Sequence, residues 1–296
     1  MLSAVCVACG TEARPATHRS ATPARAVTGV STVPQPIDPA KFSPGACVAF
    51  PPARAARGLT VFLDAGHGGR DPGAVGTTRS GRAINEADLT LAVEMDTMAI
   101  LRGAGFRVVV SRTRATSVRR LGPGDVSGRL LTAGGSHRDV LARAVCANEA
   151  HADVLVGIYF DAGAPSNAGA VTGYDAVRPF AAENLRLAKL LQSDLLDAMN
   201  AQGWRVPDEG VQSDTGLGSA LTSQALSYGH LVLLGPAHPP YVPTPSRMPG
   251  ALVEPLFVTD PFEGSIAASR HGQTVIARAL AKAIEQYFAP KSRGPR

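Results

Sequence analysis

One loop of the chain presents a histidine in a setting suited to metal chemistry. In Asp64-Ala65-Gly66-His67-Gly68-Gly69, glycines on both sides of His67 allow a tight turn that leaves the imidazole exposed. Imidazole is the commonest side-chain ligand of catalytic zinc. A surface histidine or a phosphate-binding glycine loop would look similar, but the segment lacks both the G-x-G-x-x-G pattern and the lysine of a phosphate loop.

Two carboxylates are the next candidates. Glu86 stands at the start of a predicted helix, where an acidic residue can bind metal or simply complement the helix dipole. Glu254 follows the predicted strand Ala251-Leu252-Val253. A carboxylate at a buried strand end needs a partner, because an unpaired buried charge is costly. Taken singly, neither residue identifies a site.

The elements that must position these residues alternate between strands and helices. Apolar runs predict strands at 59–64, 106–111, 154–159, 231–234 and 251–253, and helical spacing predicts helices at 85–101, 138–150, 185–201 and 274–288. This alternation predicts an α/β fold with a mainly parallel or mixed twisted sheet, helices on both faces and a single catalytic domain. In such sheets, sites lie at the carboxyl ends of the strands.

The ends of the chain differ in composition from the predicted domain over residues 58–290. Residues 1–57 are rich in Ala, Pro, Thr and Arg and predict a disordered, dispensable linker, and residues 291–296 form a tail. The first ten residues are similar to the end of a lipoprotein signal peptide, although the charged and most of the apolar region are absent. Cys9 is the candidate for lipidation, and we expect export.

Cysteine usage and charge narrow the setting further. Cys47 and Cys146 could pair in an exported protein, and a buried thiol at Cys146 is an equally good interpretation. The net charge of +5 is thinly spread and suits a basic surface facing polyanions. No aromatic–basic motif indicates nucleic-acid binding. We expect no transmembrane span and a monomer.

Several motifs together resemble the zinc-dependent N-acetylmuramoyl-L-alanine amidases of bacterial cell-wall turnover. The first, Leu63-Asp64-Ala65-Gly66-His67-Gly68-Gly69-Arg70-Asp71-Pro72-Gly73-Ala74, is highly specific. The others are moderately specific and follow in the family's order: Asn85-Glu86, Gly105-Phe106-Arg107-Val108 with Ser111-Arg112-Thr113-Arg114, Leu141-x-Arg143 with Ala147-Asn148 and Ala152-Asp153, and Ala251-Leu252-Val253-Glu254.

The resemblance implies a function and a site. The reaction would be zinc-assisted hydrolysis of the amide between the lactyl group of N-acetylmuramic acid and L-alanine in peptidoglycan, outside the cell or in its envelope. His67 and Glu86 would be zinc ligands and Glu254 the general base. Asp64 and Arg112 would orient the ligands.

The chain departs from the family at the third ligand. Where the family has a Ser-Ile-His segment, this sequence has Gly157-Ile158-Tyr159-Phe160-Asp161, so Tyr159 stands in place of histidine. Tyr159 could bind as a phenolate. Asp161, or a distant histidine (His151, His230 or His238), could replace it. Otherwise the protein binds peptidoglycan without cutting it. A second departure is the Pro-rich insert over 236–249, which we expect to reshape the substrate groove. An unrelated metallopeptidase or deacetylase is a further alternative.

Overall fold

Eight of the strands form one mixed sheet with a parallel centre. The computed structural model describes residues 33–216 and 223–290. The strands are β1 (Gln35–Pro36), β2 (Ala46–Phe50), β3 (Thr60–Ala65), β4 (Val75–Thr77), β5 (Ala83–Asn85), β6 (Arg107–Arg112), β7 (Val126–Ser127), β8 (Leu130–Leu131), β9 (Val154–Ile158), β10 (Ala170–Tyr174), β11 (Asp208–Ser213) and β12 (Gly250–Glu254). The sheet order is β1-β2-β6-β3-β9-β12-β10-β11, and β4-β5 and β7-β8 form small separate pairs.

Strand direction changes on both sides of the parallel centre of the sheet. β6, β3, β9 and β12 are mutually parallel neighbours. β2 runs antiparallel to β6, and β10 runs antiparallel to β12. The carboxyl ends of the four central strands therefore meet at one edge, whereas the carboxyl end of β10 lies at the opposite edge.

Helices cover both faces of this sheet. They are α1 (Glu86–Gly103), α2 (Ala133–Glu149), α3 (Ala181–Asn200), α4 (Ser223–Tyr228), α5 (Pro261–Ala267) and α6 (Arg270–Phe288). Side-chain oxygens of Asn85, Thr132, Asp260 and Ser269 accept backbone N–H groups at the first turns of α1, α2, α5 and α6 and so fix where these helices begin.

Burial on both faces explains the continuous apolar runs of the central strands. In β9, Val154, Val156 and Ile158 belong to the core beneath α1, α3 and α6, while Leu155 belongs to the core beneath α2. Parallel strands covered on both sides lose the apolar–polar alternation of a half-exposed strand. The predicted α/β architecture is confirmed. No helix in the described part of the chain is both long and apolar enough to cross a membrane.

The predicted linker over residues 1–57 extends too far. Residues 33–57 are described, and β2 within them is fully buried and pairs with β6. Prolines near both ends of β2 gave the segment the composition of a linker, but proline at the margin of a strand is compatible with pairing. The signal-like segment with Cys9 and the tail after residue 290 lie outside the described residues.

Two further differences concern the second half of the chain. The strand predicted at 231–234 is wrong, because this segment forms turns in which Leu233 and Leu234 are buried without joining the sheet. Conversely, β10 and β11 were not predicted, since their glycines and polar residues weaken the strand pattern. The apolar run at 231–234 thus predicted burial correctly, but it predicted the wrong secondary structure.

A disulfide joins Cys47 of β2 to Cys146 of α2, with the two Cα atoms 5.8 Å apart and a sequence separation of 99. Of the two interpretations of Cys146, the paired one is therefore confirmed. The bond links the amino-terminal segment to the helix covering one face of the sheet.

Removing this disulfide should destabilise the protein. Closing a loop of about 100 residues restricts the unfolded chain by roughly 4–5 kcal/mol in the chain-entropy model. We therefore expect Cys47→Ala/Cys146→Ala to lower the free energy of unfolding by about 3–5 kcal/mol, measured by urea denaturation. The wild type under strong reductant is the matched control and should show the same loss. Equal stability of oxidised and reduced wild type would contradict the expectation.

Candidate active site

The carboxyl ends of three adjacent strands bring the candidate residues to one edge of the sheet. His67 follows β3, Tyr159 and Asp161 follow β9, and Glu254 ends β12. The register supports this alignment, because Gly66 N donates to Ile158 O and Tyr159 N donates to Val253 O. Glu86 reaches the same edge from the first turn of α1.

His67 is held between two carboxylates. Its Nε2 lies 3.1 Å from Glu86 Oε2, and its Nδ1 lies 3.0 Å from Asp71 Oδ2. Burial alone would lower the pKa of His67, but Glu86 and Asp71 outweigh it and raise the pKa to about 10. Sequence reasoning gave no role to Asp71, although it stands four residues after His67 in the same motif. A carboxylate on the second ring nitrogen is the usual means of orienting a metal-binding histidine.

Glu86 is fixed through both carboxylate oxygens. Oε1 accepts the backbone N–H of Phe160 at 3.0 Å, and Oε2 accepts that of Ala74 at 2.9 Å. A Cβ atom at Gly73 would lie 2.7 Å from both Glu86 Oε2 and His67 Cδ2, so the chain passes here only as glycine. The loop after His67 is therefore built around the His67–Glu86 pair.

Tyr159 stands beside His67 but turns its hydroxyl elsewhere. The two rings meet edge to face with centroids 5.5 Å apart, and the Tyr159 hydroxyl donates to Asp64 Oδ2 at 3.1 Å. Burial, together with the charge of Asp64, raises the pKa of Tyr159 well above its ordinary value. The hydroxyl is thus directed away from the His67–Glu86 pair, which does not favour the phenolate alternative.

Glu254 is buried and feels the charge of Asp161. Burial first, and then the charges of Asp161 and Glu86, raise the pKa of Glu254 well above its ordinary value. The pKa of Asp161 is also raised, chiefly by burial. Glu254 Oε2 has no hydrogen-bond partner among the described residues. Asp161 therefore acts on Glu254 through its charge, and one oxygen of Glu254 is left without a donor in the described ranges.

Two buried arginines donate hydrogen bonds to the turn after β3. Arg112 donates to the carbonyls of Gly66 and Ala87 at 3.0 and 2.6 Å and so joins this turn to α1. Arg143 of α2 bridges Asp64 and Asp139 at 2.6 and 3.0 Å and donates to the carbonyl of His67. Arg112 and Asp64 thus support the backbone around His67. Arg143 was recognised within its motif, but its role depends on contacts that only the fold reveals.

Loss of Arg143 should destabilise the fold strongly. Arg143→Met would leave Asp64 and Asp139 buried without their cation, and breaking a buried pair on one side typically costs about 3–5 kcal/mol. We expect a loss of that size in urea denaturation. Arg278→Met, an exposed position on α6, is the control and should change stability by about 0.5 kcal/mol or less. Equal effects of the two substitutions would contradict the assigned role.

His67 and Glu86 fit a zinc ion, but with two ligands only. Their 3.1 Å separation suits atoms that each lie about 2.1 Å from one ion, which places them roughly 3.0–3.4 Å apart. Within residues 33–216 and 223–290, no third His, Cys, Asp or Glu offers a ligand atom within 4.8 Å of both. Catalytic zinc usually has three protein ligands. Tyr159 stands beside this pair and directs its hydroxyl to Asp64.

The distant histidines do not join this site. His230 pairs with Asp175 and Asp214 at 3.0 and 3.2 Å, and burial and then the charge of Asp175 raise the pKa of Asp214 to about 6. His238 lies against Tyr228, and His151 is exposed in the turn between α2 and β9. The insert over 236–249 packs along α2, where Tyr241 stacks on His137 with centroids 4.0 Å apart. Its effect on the substrate groove remains a prediction.

Comparison with known proteins finds similar sequences and folds. The sequence profile of the family described as N-acetylmuramoyl-L-alanine amidase matches residues 61–286. A Bacillus subtilis protein named YqiI, uncharacterised, is 28% identical over 233 residues, covering 78% of this chain and 85% of its own. The germination-specific N-acetylmuramoyl-L-alanine amidase of the same species is 26% identical over 243 residues, covering 80% and 83%. The crystal structure of N-acetylmuramoyl-L-alanine amidase from Clostridium difficile 630 superimposes with a TM-score of 0.53 at 25% identity, covering 81% of this chain and 100% of that one.

Proposed function

Because the chain belongs to the N-acetylmuramoyl-L-alanine amidase family, we propose that it hydrolyses the amide bond between the lactyl group of N-acetylmuramic acid and L-alanine in peptidoglycan. The observation that carries the proposal is the His67–Glu86 pair, 3.1 Å apart, at the sheet edge that also bears Glu254. The metal we propose for this pair is zinc, since one imidazole and one carboxylate are ligands that zinc accepts.

In this proposal the chain's own residues prepare the reaction as follows. Asp71 and Glu86 fix the ring of His67, and Arg112 and Arg143 hold its backbone. Glu254 accepts a proton from the attacking water and passes it to the leaving amine of L-alanine. The charge of Asp161 raises the pKa of Glu254 and so strengthens it as a base. When bound, zinc supplies a Lewis acid for the amide carbonyl and lowers the pKa of a water molecule.

One observation favours a second candidate, a protein that binds peptidoglycan without cutting it. The Tyr159 hydroxyl is directed to Asp64 rather than to the His67–Glu86 pair. A site with two protein ligands holds zinc more weakly than one with three, and a family member with such a site can retain its binding groove while losing turnover.

We further propose that the protein acts outside the cell or in its envelope, where its polymeric substrate lies. The Cys47–Cys146 disulfide supports this proposal, since such bonds persist in oxidising compartments. We also propose lipid attachment at Cys9, which mass spectrometry of the mature protein would detect. We propose that the protein is a monomer, which light scattering would test.

Digestion of purified peptidoglycan separates the two candidates. The protein is incubated with zinc and peptidoglycan, and soluble products are analysed by mass spectrometry. If the protein is an amidase, we expect released stem peptides with a free L-alanine amino group and intact glycan strands. If it only binds, we expect it to sediment with the polymer and to release no peptide. Cleavage within the peptide or removal of acetyl groups would instead indicate the metallopeptidase or deacetylase alternatives.

A further inference from the structure

A second cluster of ligand-type side chains lies at the other edge of the sheet. Asp175 follows β10, Asp214 opens the 3-10 turn after β11, and His230 lies two residues beyond α4. β10 and β11 are parallel neighbours, so their carboxyl ends bring the two aspartates together. Val171 of β10 pairs with Glu254, and Asp175 stands four residues further along. Four residues of strand span roughly 13 Å, which separates the cluster from the candidate active site.

The geometry of the cluster suits a single cation. His230 Nδ1 lies 3.0 Å from Asp175 Oδ2 and 3.2 Å from Asp214 Oδ2. The three residues present ligand atoms that all lie within 4.8 Å of one another, the only such set of three in the described ranges. Ligand atoms about 2.0–2.2 Å from one ion lie roughly 3.0–3.4 Å apart, which matches both distances.

One buried carboxylate oxygen of the cluster has no hydrogen-bond donor among the described residues. Asp175 and Asp214 are both 0% exposed. His230 Nδ1 lies within hydrogen-bond distance of Asp214 Oδ2, and Asp175 Oδ2 has no hydrogen-bond partner in the part of the chain that the structure describes. The guanidinium of the nearby Arg178 donates to the carbonyls of Leu234, Gly235 and Ser246. A buried carboxylate oxygen thus points into the cluster without a donor, a situation that a bound cation relieves.

We propose that Asp175, Asp214 and His230 form a second metal site, which binds Zn²⁺ or a similar divalent transition-metal ion. One imidazole and two carboxylates suit such ions. The bound ion ties the ends of β10 and β11 to the segment after α4 and so stabilises this side of the domain. The site does not depend on the proposed amidase activity.

Zinc stoichiometry of the full chain tests the site separately from the first one. In a His67→Ala/Glu86→Gln background, the metal-stripped protein is titrated with ZnCl2 by calorimetry, and bound zinc is counted by native mass spectrometry. We expect this background to bind zinc and to unfold at higher temperature with it. Adding Asp214→Asn or His230→Gln should remove one equivalent of zinc and that thermal shift. Asp197→Asn, an exposed aspartate on α3, is the matched control and should change neither.

Two results would overturn the proposal. One is a background protein whose zinc binding is the same with and without Asp214→Asn, provided that circular dichroism shows both to be folded. The other is the absence of any zinc uptake in that background, which would mean that His230 serves the two aspartates as a cation in its own right.

Discussion

Replacing Tyr159 with histidine is expected to tighten zinc binding by up to about a thousandfold. Even at the ordinary phenol pKa of about 10, deprotonation at pH 7 would oppose zinc binding by about 4 kcal/mol, so the phenol leaves the site with two ligands. A neutral imidazole avoids this cost and would add the third ligand. Asp64, which accepts the phenol hydroxyl at 3.1 Å, is placed to accept an imidazole N–H and orient the new ligand. Zinc affinity is measured by competition with a chelator and turnover by stem-peptide release, and both should rise.

Tyr159→Phe is the matched control for this result. It removes the hydroxyl and keeps the ring against His67, so zinc affinity should stay at the wild-type level if the phenol is not a ligand. A clear loss of zinc in Tyr159→Phe would show that the phenol does coordinate the metal. If Tyr159→His lowers both zinc affinity and turnover, the site depends on the phenol, and the interpretation of a site that lacks its third ligand is wrong.

Replacing Glu254 with glutamine is expected to lower kcat/KM for peptidoglycan by about 10²–10⁴-fold, the usual contribution of a general base. Glutamine keeps the shape of the side chain but cannot accept the proton, so sedimentation with peptidoglycan should be unchanged. Activity requires ionised Glu254, whose pKa burial and Asp161 raise. The acid limb of the pH–activity profile should therefore lie at higher pH than the ordinary pKa of a glutamate would give.

The control for Glu254 is Glu183→Gln, an exposed glutamate at the start of α3, which should leave kcat/KM unchanged. If Glu254→Gln retains at least a third of wild-type kcat/KM, another group accepts the proton. Failure of both the wild type and Tyr159→His to release stem peptides, with binding retained, would support the binding protein instead.

Much of the site followed from local sequence. Glycines around His67 and apolar runs before His67 and Glu254 placed these residues at strand ends, and parallel strands then brought them together. Asp71 and Arg143 received no role, because their contacts with His67 depend on the turn after β3 and on the docking of α2. The second cluster was missed because β10 and β11 were themselves not predicted. Local sequence patterns therefore identified the site residues at the ends of the central strands. They did not identify the residues that contact the site from the loop after β3, from α2, or from β10 and β11.

The close approach of Gly66 to Tyr159 restricts the order in which this site can change during evolution. A Cβ atom at Gly66 would lie 2.5 Å from the Tyr159 ring, whereas the backbone of Gly66 is not in the left-handed region. The requirement for glycine at position 66 is thus imposed by the aromatic side chain at position 159. An ancestor with a smaller side chain at position 159 could have tolerated alanine at position 66, but any lineage that acquired tyrosine first needed glycine in place. Selection experiments that randomise both positions together should recover alanine at 66 only alongside small residues at 159.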